Sequence, residues 1–229
     1  MLYSPLEQFE IVPIFSLMLG SKFAFTNSSL FLFLTIFIIA CFFHMTTFES
    51  TLAPNRWQTL SEMIYEFVQG MLHEALGDKG SRFFPFIFTT FVFIFFANIL
   101  GMIPYTFTVT SHLVFTFGLG MTTFVGLNII GLKRHGLHFF SLFLPPGAPL
   151  ALAPLLVPIE LISYVFRVVA LAVRLFANMM AGHTLLKILA TFAWKMIAAG
   201  GIFYIIQLFP MIVIIAITGL ELAIAFLQA

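Results

Sequence analysis

Charge is scarce in this 229-residue chain: Asp, Glu, Lys and Arg together make up 8% of it, against roughly 25% in an average soluble domain. That deficit excludes an ordinary soluble globular protein. The net charge of +1 gives no bulk attraction toward nucleic acid or an acidic substrate. A single cysteine, Cys41, lies inside an apolar block, so neither a disulfide framework nor a Cys-x-x-Cys metal site is available. No Gly-x-x-x-x-Gly-Lys followed by Ser or Thr occurs, so no phosphate loop of that kind binds a nucleotide. The first residues have neither a basic stretch leading into an apolar core nor an Arg- and Ser-rich character. A secretory signal and a transit peptide are therefore not expected, and the chain is expected to insert where it is made.

What the chain has instead is apolar surface. Hydrophobic residues make up 61% and the mean hydropathy is +1.10. They fall in several long blocks, which predicts one all-α integral membrane domain over 1–229 with about five transmembrane helices. Residues 1–25 mix Pro5, Glu7, Glu10, Pro13 and Lys22 with apolar side chains and read as an interfacial lead-in. Residues 26–48 contain no Asp, Glu, Lys or Arg, and Thr26-Asn27-Ser28-Ser29 supplies helix-capping side chains; this is the first span. Residues 54–76 differ in kind. Trp57, Leu60, Ile64, Phe67, Val68, Met71 and Leu72 recur at three-four spacing, while Gln58, Glu62, Gln69 and Glu74 take the other face. The acidic polar face favours a surface helix packed on protein over one lying on lipid.

Residues 83–132 make a hairpin of two spans interrupted at Pro104. Five prolines between 144 and 158 predict an irregular connector, with Pro158 placed to open the next helix. From Ile159 to Trp194 no proline intervenes, and about 36 residues of helix would measure roughly 54 Å. The last two helices, over 159–229 with a turn at Gly200-Gly201, are thus expected to be long and strongly tilted. Arg56, Lys79, Arg82, Lys133 and Arg134 against Lys22, Lys187 and Lys195 favour an outer N-terminus, five crossings and an inner C-terminus. Gln228-Ala229 stops in mid-helix without a polar tail, so further residues or another fragment are expected to complete that helix.

The polar residues inside these blocks carry the chemistry. Arg174 sits deep in an apolar run, where a guanidinium costs roughly 2.5–3.5 kcal/mol on insertion scales. Glu160, Arg167 and Arg174 are spaced by seven, and Asn178 follows one turn later, so they share one helix face. Glu221 and Gln228 are also seven apart. If the last two helices run antiparallel, Gln228 comes level with Arg174 and Glu221 level with His183. Nine residues separate Arg174 from His183, so spacing leaves the facing of His183 open. Glu160 is about 21 Å along the helix from Arg174 and cannot neutralise it. Arg174 therefore either pairs poorly within the chain, as a static structural pair, or awaits a carboxylate from a partner that moves.

These residues carry a resemblance. Arg174-Leu-Phe-Ala-Asn178-Met-Met-Ala-Gly182-His183, with Glu160 upstream and Glu221 and Gln228 near the end, resembles subunit a of the F-type ATP synthase. Ser4-Pro-Leu-Glu-Gln-Phe-Glu10, the Gly101–His112 stretch and His135-Gly-Leu-His138-Phe-Phe extend the likeness over essentially the whole chain. The pairing of His183 with Glu221 resembles the mitochondrial, plant-like branch, which implies a multi-pass protein of the mitochondrial inner membrane. The resemblance implies a proton-conducting stator that is no enzyme by itself. Arg174 would face the carboxylates of a c-ring, His183 and Glu221 would line an outer half-channel, and Glu160 a matrix half-channel. Asn178 and Gln228 would position the arginine, and peripheral-stalk and other membrane subunits would be neighbours. No cofactor, metal or directly bound nucleotide is implied.

Plainer readings stand beside these. Arg167 can snorkel to an interface, and His112 can make a helix-end hydrogen bond in place of joining the proton path. Asn98 can bond between helices, and His135-x-x-His138 offers only two ligands for a metal. A self-contained channel would predict an inverted repeat or a pore-lining ring, and neither is visible. A structural assembly subunit would tolerate loss of Arg174. The choice between proton and sodium rests mainly with the ring.

Overall fold

The computed structural model describes residues 4–16, 24–48, 54–103, 106–143, 152–201 and 203–229. Pro104 and the larger part of the Pro-rich connector lie outside them. Apart from a short antiparallel hairpin of β1 (Pro13–Ser16) and β2 (Ala24–Thr26), the described elements are helical. They are α1 (Asn27–Phe48), α2 (Arg56–Leu76), α3 (Phe84–Met102), α4 (Leu113–His135), α5 (Ala153–Ala199), α6 (Phe203–Ile206) and α7 (Leu208–Leu227), with 3-10 turns between several of them. Among the described residues five segments are long and apolar enough to cross a membrane: Asn27–Phe48, Gly80–Met102, Leu113–His135, Pro154–Ala199 and Phe203–Leu227. This is the all-α membrane fold that the composition requires. Large apolar side chains such as Phe33, Val114 and Leu227 stand exposed along these segments, as they must where lipid replaces water.

The chain divides into two compact units, Met1–Val109 with Ala181–Ala229, and Thr110–Met180. In the first, α1, α2 and α3 pack on one another and α7 packs on α3. Their shared core is Val68, Phe91 and Val92, surrounded by Ile39, Phe43, Ile64, Phe88 and Phe96. The amphipathic α2 buries Val68 and Leu72 and leaves Glu62, Glu66 and Glu74 exposed. Its apolar stripe therefore docks on α1 and α3, which is why an acidic outer face is tolerated. The start of α1 is tied by local bonds. Thr26 N–H donates to Ser29 Oγ (3.0 Å), and Ser29 N–H donates to Thr26 Oγ1 (3.5 Å), a reciprocal exchange that satisfies donors left open at a helix start. Asn27 Oδ1 accepts from Val12 N–H (3.3 Å) and its Nδ2 donates to the Glu10 carbonyl (3.0 Å), fastening the segment before β1 to α1.

In the second unit α4 lies along the first part of α5. Gly120 lets the helices approach: a Cβ there would meet Val168 Cγ1 at 3.3 Å and Ala172 Cβ at 3.8 Å. Tyr164 Oη donates to Asn128 Oδ1 (3.2 Å) across the same contact, and its ring packs on Phe124 and Phe143.

Two boundaries differ from the sequence expectation. Helix α5 begins at Ala153 and carries Pro158 within it, where an irregular connector through 158 was expected. Pro154 falls in the first turn, where backbone N–H groups have no partner in any case. Pro158 removes a single bond, to the carbonyl four residues earlier, and its position near the helix start makes that tolerable. The final block is split into α6 and α7, with Gln207 between them. Pro210 has no N–H to offer the Ile206 carbonyl, which breaks the ladder at that point. Gly200 and Gly201, at φ 69° and 65°, turn the chain out of α5 in the left-handed region that glycine alone adopts without strain.

Candidate functional site

Glu221 is placed by α7 on the face that meets α5. It is 8% exposed, the one acid of the described residues that is buried. What admits it is Gly182: a Cβ there would collide with Glu221 Oε1 and lie 2.8 Å from its Cδ. Glu221 Oε1 has no hydrogen-bond partner. A buried polar oxygen without a partner costs about 1–3 kcal/mol. One turn after Glu221, the Ala225 carbonyl accepts from Asn98 Nδ2 (3.5 Å), while Asn98 Oδ1 has no partner. Asn98 is 0% exposed and so brings a polar side chain from α3 to α7, as an interhelical bond.

His183, the residue after Gly182, is half-buried. Its Nε2 lies 3.3 Å from Thr108 Oγ1, and Thr108 Oγ1 also lies 3.2 Å from the Gly101 carbonyl at the end of α3. The Phe9 ring and the imidazole meet in a T-shaped arrangement, with centroids 6.4 Å apart, and Lys187 Nζ, one turn on, donates to the Ser4 carbonyl (3.5 Å). His183 thus faces Thr108 in the loop after α3 and follows, in sequence, the glycine that makes room for Glu221. Gly182, the residue before His183, is the one that meets Glu221, and no hydrogen bond joins the His183 and Glu221 side chains. Gln228 caps the end of α7, its backbone N–H on the Ile224 carbonyl (3.0 Å) and its Oε1 without a partner.

The remaining predicted residues belong to the second unit. Arg174 is exposed on α5, and Asn178, one turn later, is half-buried. The only acid between Thr110 and Met180 is Glu160. It is half-buried two turns into α5, fourteen residues before Arg174 and so about 21 Å away. Arg167 is exposed on the same helix. His112 occupies the N-cap position of α4, but its side chain does not cap the helix; its carbonyl takes the N–H of Phe115 (3.1 Å) and of Thr116 (3.2 Å). Burial lowers the ionisation of His112 below the usual imidazole value. Among the described residues no three His, Cys, Asp or Glu side chains converge on a metal position.

The description ATP synthase A chain belongs to the family model that matches residues 29–229. The chain is 54% identical over 227 residues to ATP synthase subunit a of Chondrus crispus, covering 99% of this chain and 90% of that one. It is 53% identical to subunit a of Marchantia polymorpha, at 99% and 92% coverage, and 48% identical to that of Rhodospirillum rubrum, at 100% and 92%. The chain belongs to the ATP synthase subunit a family. It is the membrane subunit through which an F-type ATP synthase translocates protons, and a stator of that rotary complex. Sequence reasoning missed Thr108 and the glycines at 101 and 182 that make room around it and Glu221. Threonine is common in apolar helices and turns, and nothing in its spacing marked this one.

Proposed function

We propose that this chain supplies two offset half-channels to a c-ring, with Arg174 between them, in the mitochondrial inner membrane. The observation that carries the reading is the exposed guanidinium of Arg174 on an apolar helix whose own unit offers no carboxylate within reach. Such a charge is costly in hydrocarbon unless an anion arrives from elsewhere. A ring carboxylate passing Arg174 is held ionised, since a nearby cation favours the charged form whereas apolar surroundings disfavour it. It must therefore lose its proton on one side of Arg174 and regain one on the other.

His183 and Glu221 make the outer access route and hand protons to the ring. Glu160 serves the matrix route. Asn178 and Gln228 hold the guanidinium in position, and His112 stands at the margin of the outer path. Each proton that crosses gains ~2.3 kcal/mol per 100 mV, which turns the ring. The complex's peripheral stalk and other membrane subunits hold this chain against that torque. The mitochondrial setting is supported by the His183 and Glu221 pairing and by the likeness to the relatives named above.

Arg174→Gln in the assembled complex tests this. ATP-driven proton pumping should fall to the background of uncoupled vesicles while assembly of the membrane sector persists. Coupled pumping at the normal rate would refute the proposal.

A further inference from the structure

We propose that Thr108 is a positioning residue that assigns the proton-exchanging role of His183 to one imidazole nitrogen, Nδ1. The inference rests on the reading of His183 as part of the outer route. Thr108 Oγ1 lies 3.2 Å from the Gly101 carbonyl oxygen and 3.3 Å from His183 Nε2. A carbonyl can only accept, so a hydrogen bond from Thr108 to Gly101 takes the single hydroxyl hydrogen of Thr108. The Oγ1 then presents a lone pair to His183, and only an N–H completes that contact. Nε2 therefore keeps its hydrogen, and Nδ1 carries the basic lone pair.

The hydroxyl is held where it stands. Thr108 is 4% exposed, and a Cβ on Gly101 would lie 2.9 Å from Thr108 Oγ1 and 3.1 Å from its Cβ. The absence of a side chain at residue 101 is thus what allows Thr108 to reach both partners. The Phe9 ring packs against the imidazole in a T-shaped arrangement.

The consequence concerns how His183 moves a proton. A proton arriving at Nδ1 gives an imidazolium with hydrogen on both nitrogens. With Nε2–H fastened to Thr108, the proton that departs leaves from Nδ1, and the neutral ring is restored in its starting form. His183 thus works as a one-nitrogen exchanger. A relay that takes a proton at one nitrogen and releases it at the other would require Thr108 to let go of Gly101 in every cycle.

The test is solid-state nitrogen-15 NMR of histidine-labelled complex in membranes, with the His183 signals assigned by their loss in His183→Gln. A protonated Nε2 and an unprotonated Nδ1 are expected in the native complex at neutral pH, a result that needs no variant at position 108 to fold. Thr108→Val, which keeps the shape and removes the hydroxyl, should mix the two tautomers and slow pumping several-fold. Thr108→Ser should restore both. An Nδ1–H tautomer in the native complex, or an unchanged tautomer in Thr108→Val, overturns the proposal. Normal pumping in His183→Gln would instead overturn the proton route on which it rests, because the nitrogen assignment is read without reference to activity.

Discussion

Glu221 and Arg174 are both ionisable groups carried by apolar helices, and the chain treats them in opposite ways. Glu221 is enclosed: Gly182 leaves the space it fills, and Asn98 reaches the same helix one turn away. Arg174 stands open, and the one acid of its unit is fourteen residues back on the same helix. A polar site walled by its own chain forms when that chain folds. On the proposed reading, the open guanidinium is completed by a charge that arrives on another chain, since apolar surroundings penalise a lone cation heavily. Under the proposed function, the contrast separates a conduit built within this subunit from a contact shared with a moving partner.

The contrast can be sharpened from the conduit side. Glu221→Gln keeps the shape of the side chain and removes its ability to take up and release a proton. Proton pumping should slow by at least about a hundredfold, equivalent to ~2.7 kcal/mol of barrier, with assembly intact; pumping within twofold of normal would show that Glu221 is merely packed. Gly182→Ala comes next. Its methyl group would displace the Glu221 carboxyl, and we expect about a tenfold loss, or ~1.4 kcal/mol. A thermal-stability measurement on the same preparation separates a displaced carboxyl from a damaged helix pair. The smallest effect is expected at His112. Burial holds it below the usual imidazole value, so it is neutral at pH 7 and above and gains charge only as pH falls through that lowered value. His112→Gln should therefore alter pumping at pH 7–8 by less than about twofold, and a larger loss there would move His112 into the proton path.

The spanning helices were legible because each is a long apolar block bounded by polar or turn-forming residues, a signal that membrane thickness makes strong. So was α2, whose apolar stripe lands on Val68 and Leu72. The start of α5 was not legible: five prolines argued for an irregular connector, and sequence alone does not say which of them fall in a first turn. The β1–β2 hairpin was not seen either, since its strands are four and three residues long and carry no usable alternation. Among the candidate functional residues, Arg174, Glu221 and His183 stood out because titratable groups are rare in apolar helices. Thr108, Gly101 and Gly182 did not, since their part is steric or depends on a contact between segments far apart in sequence. The facing of His183 shows the same limit, because helical spacing alone could not orient it and the loop after α3 does.

The most direct measurement is the distance from the Arg174 guanidinium to its nearest carboxylate in a structure of the assembled membrane sector. We expect that carboxylate to belong to a helix of the ring, with Glu160 and Glu221 of this chain both farther away. A guanidinium clasped by a carboxylate of its own chain, with no ring helix alongside, would contradict the motor mechanism.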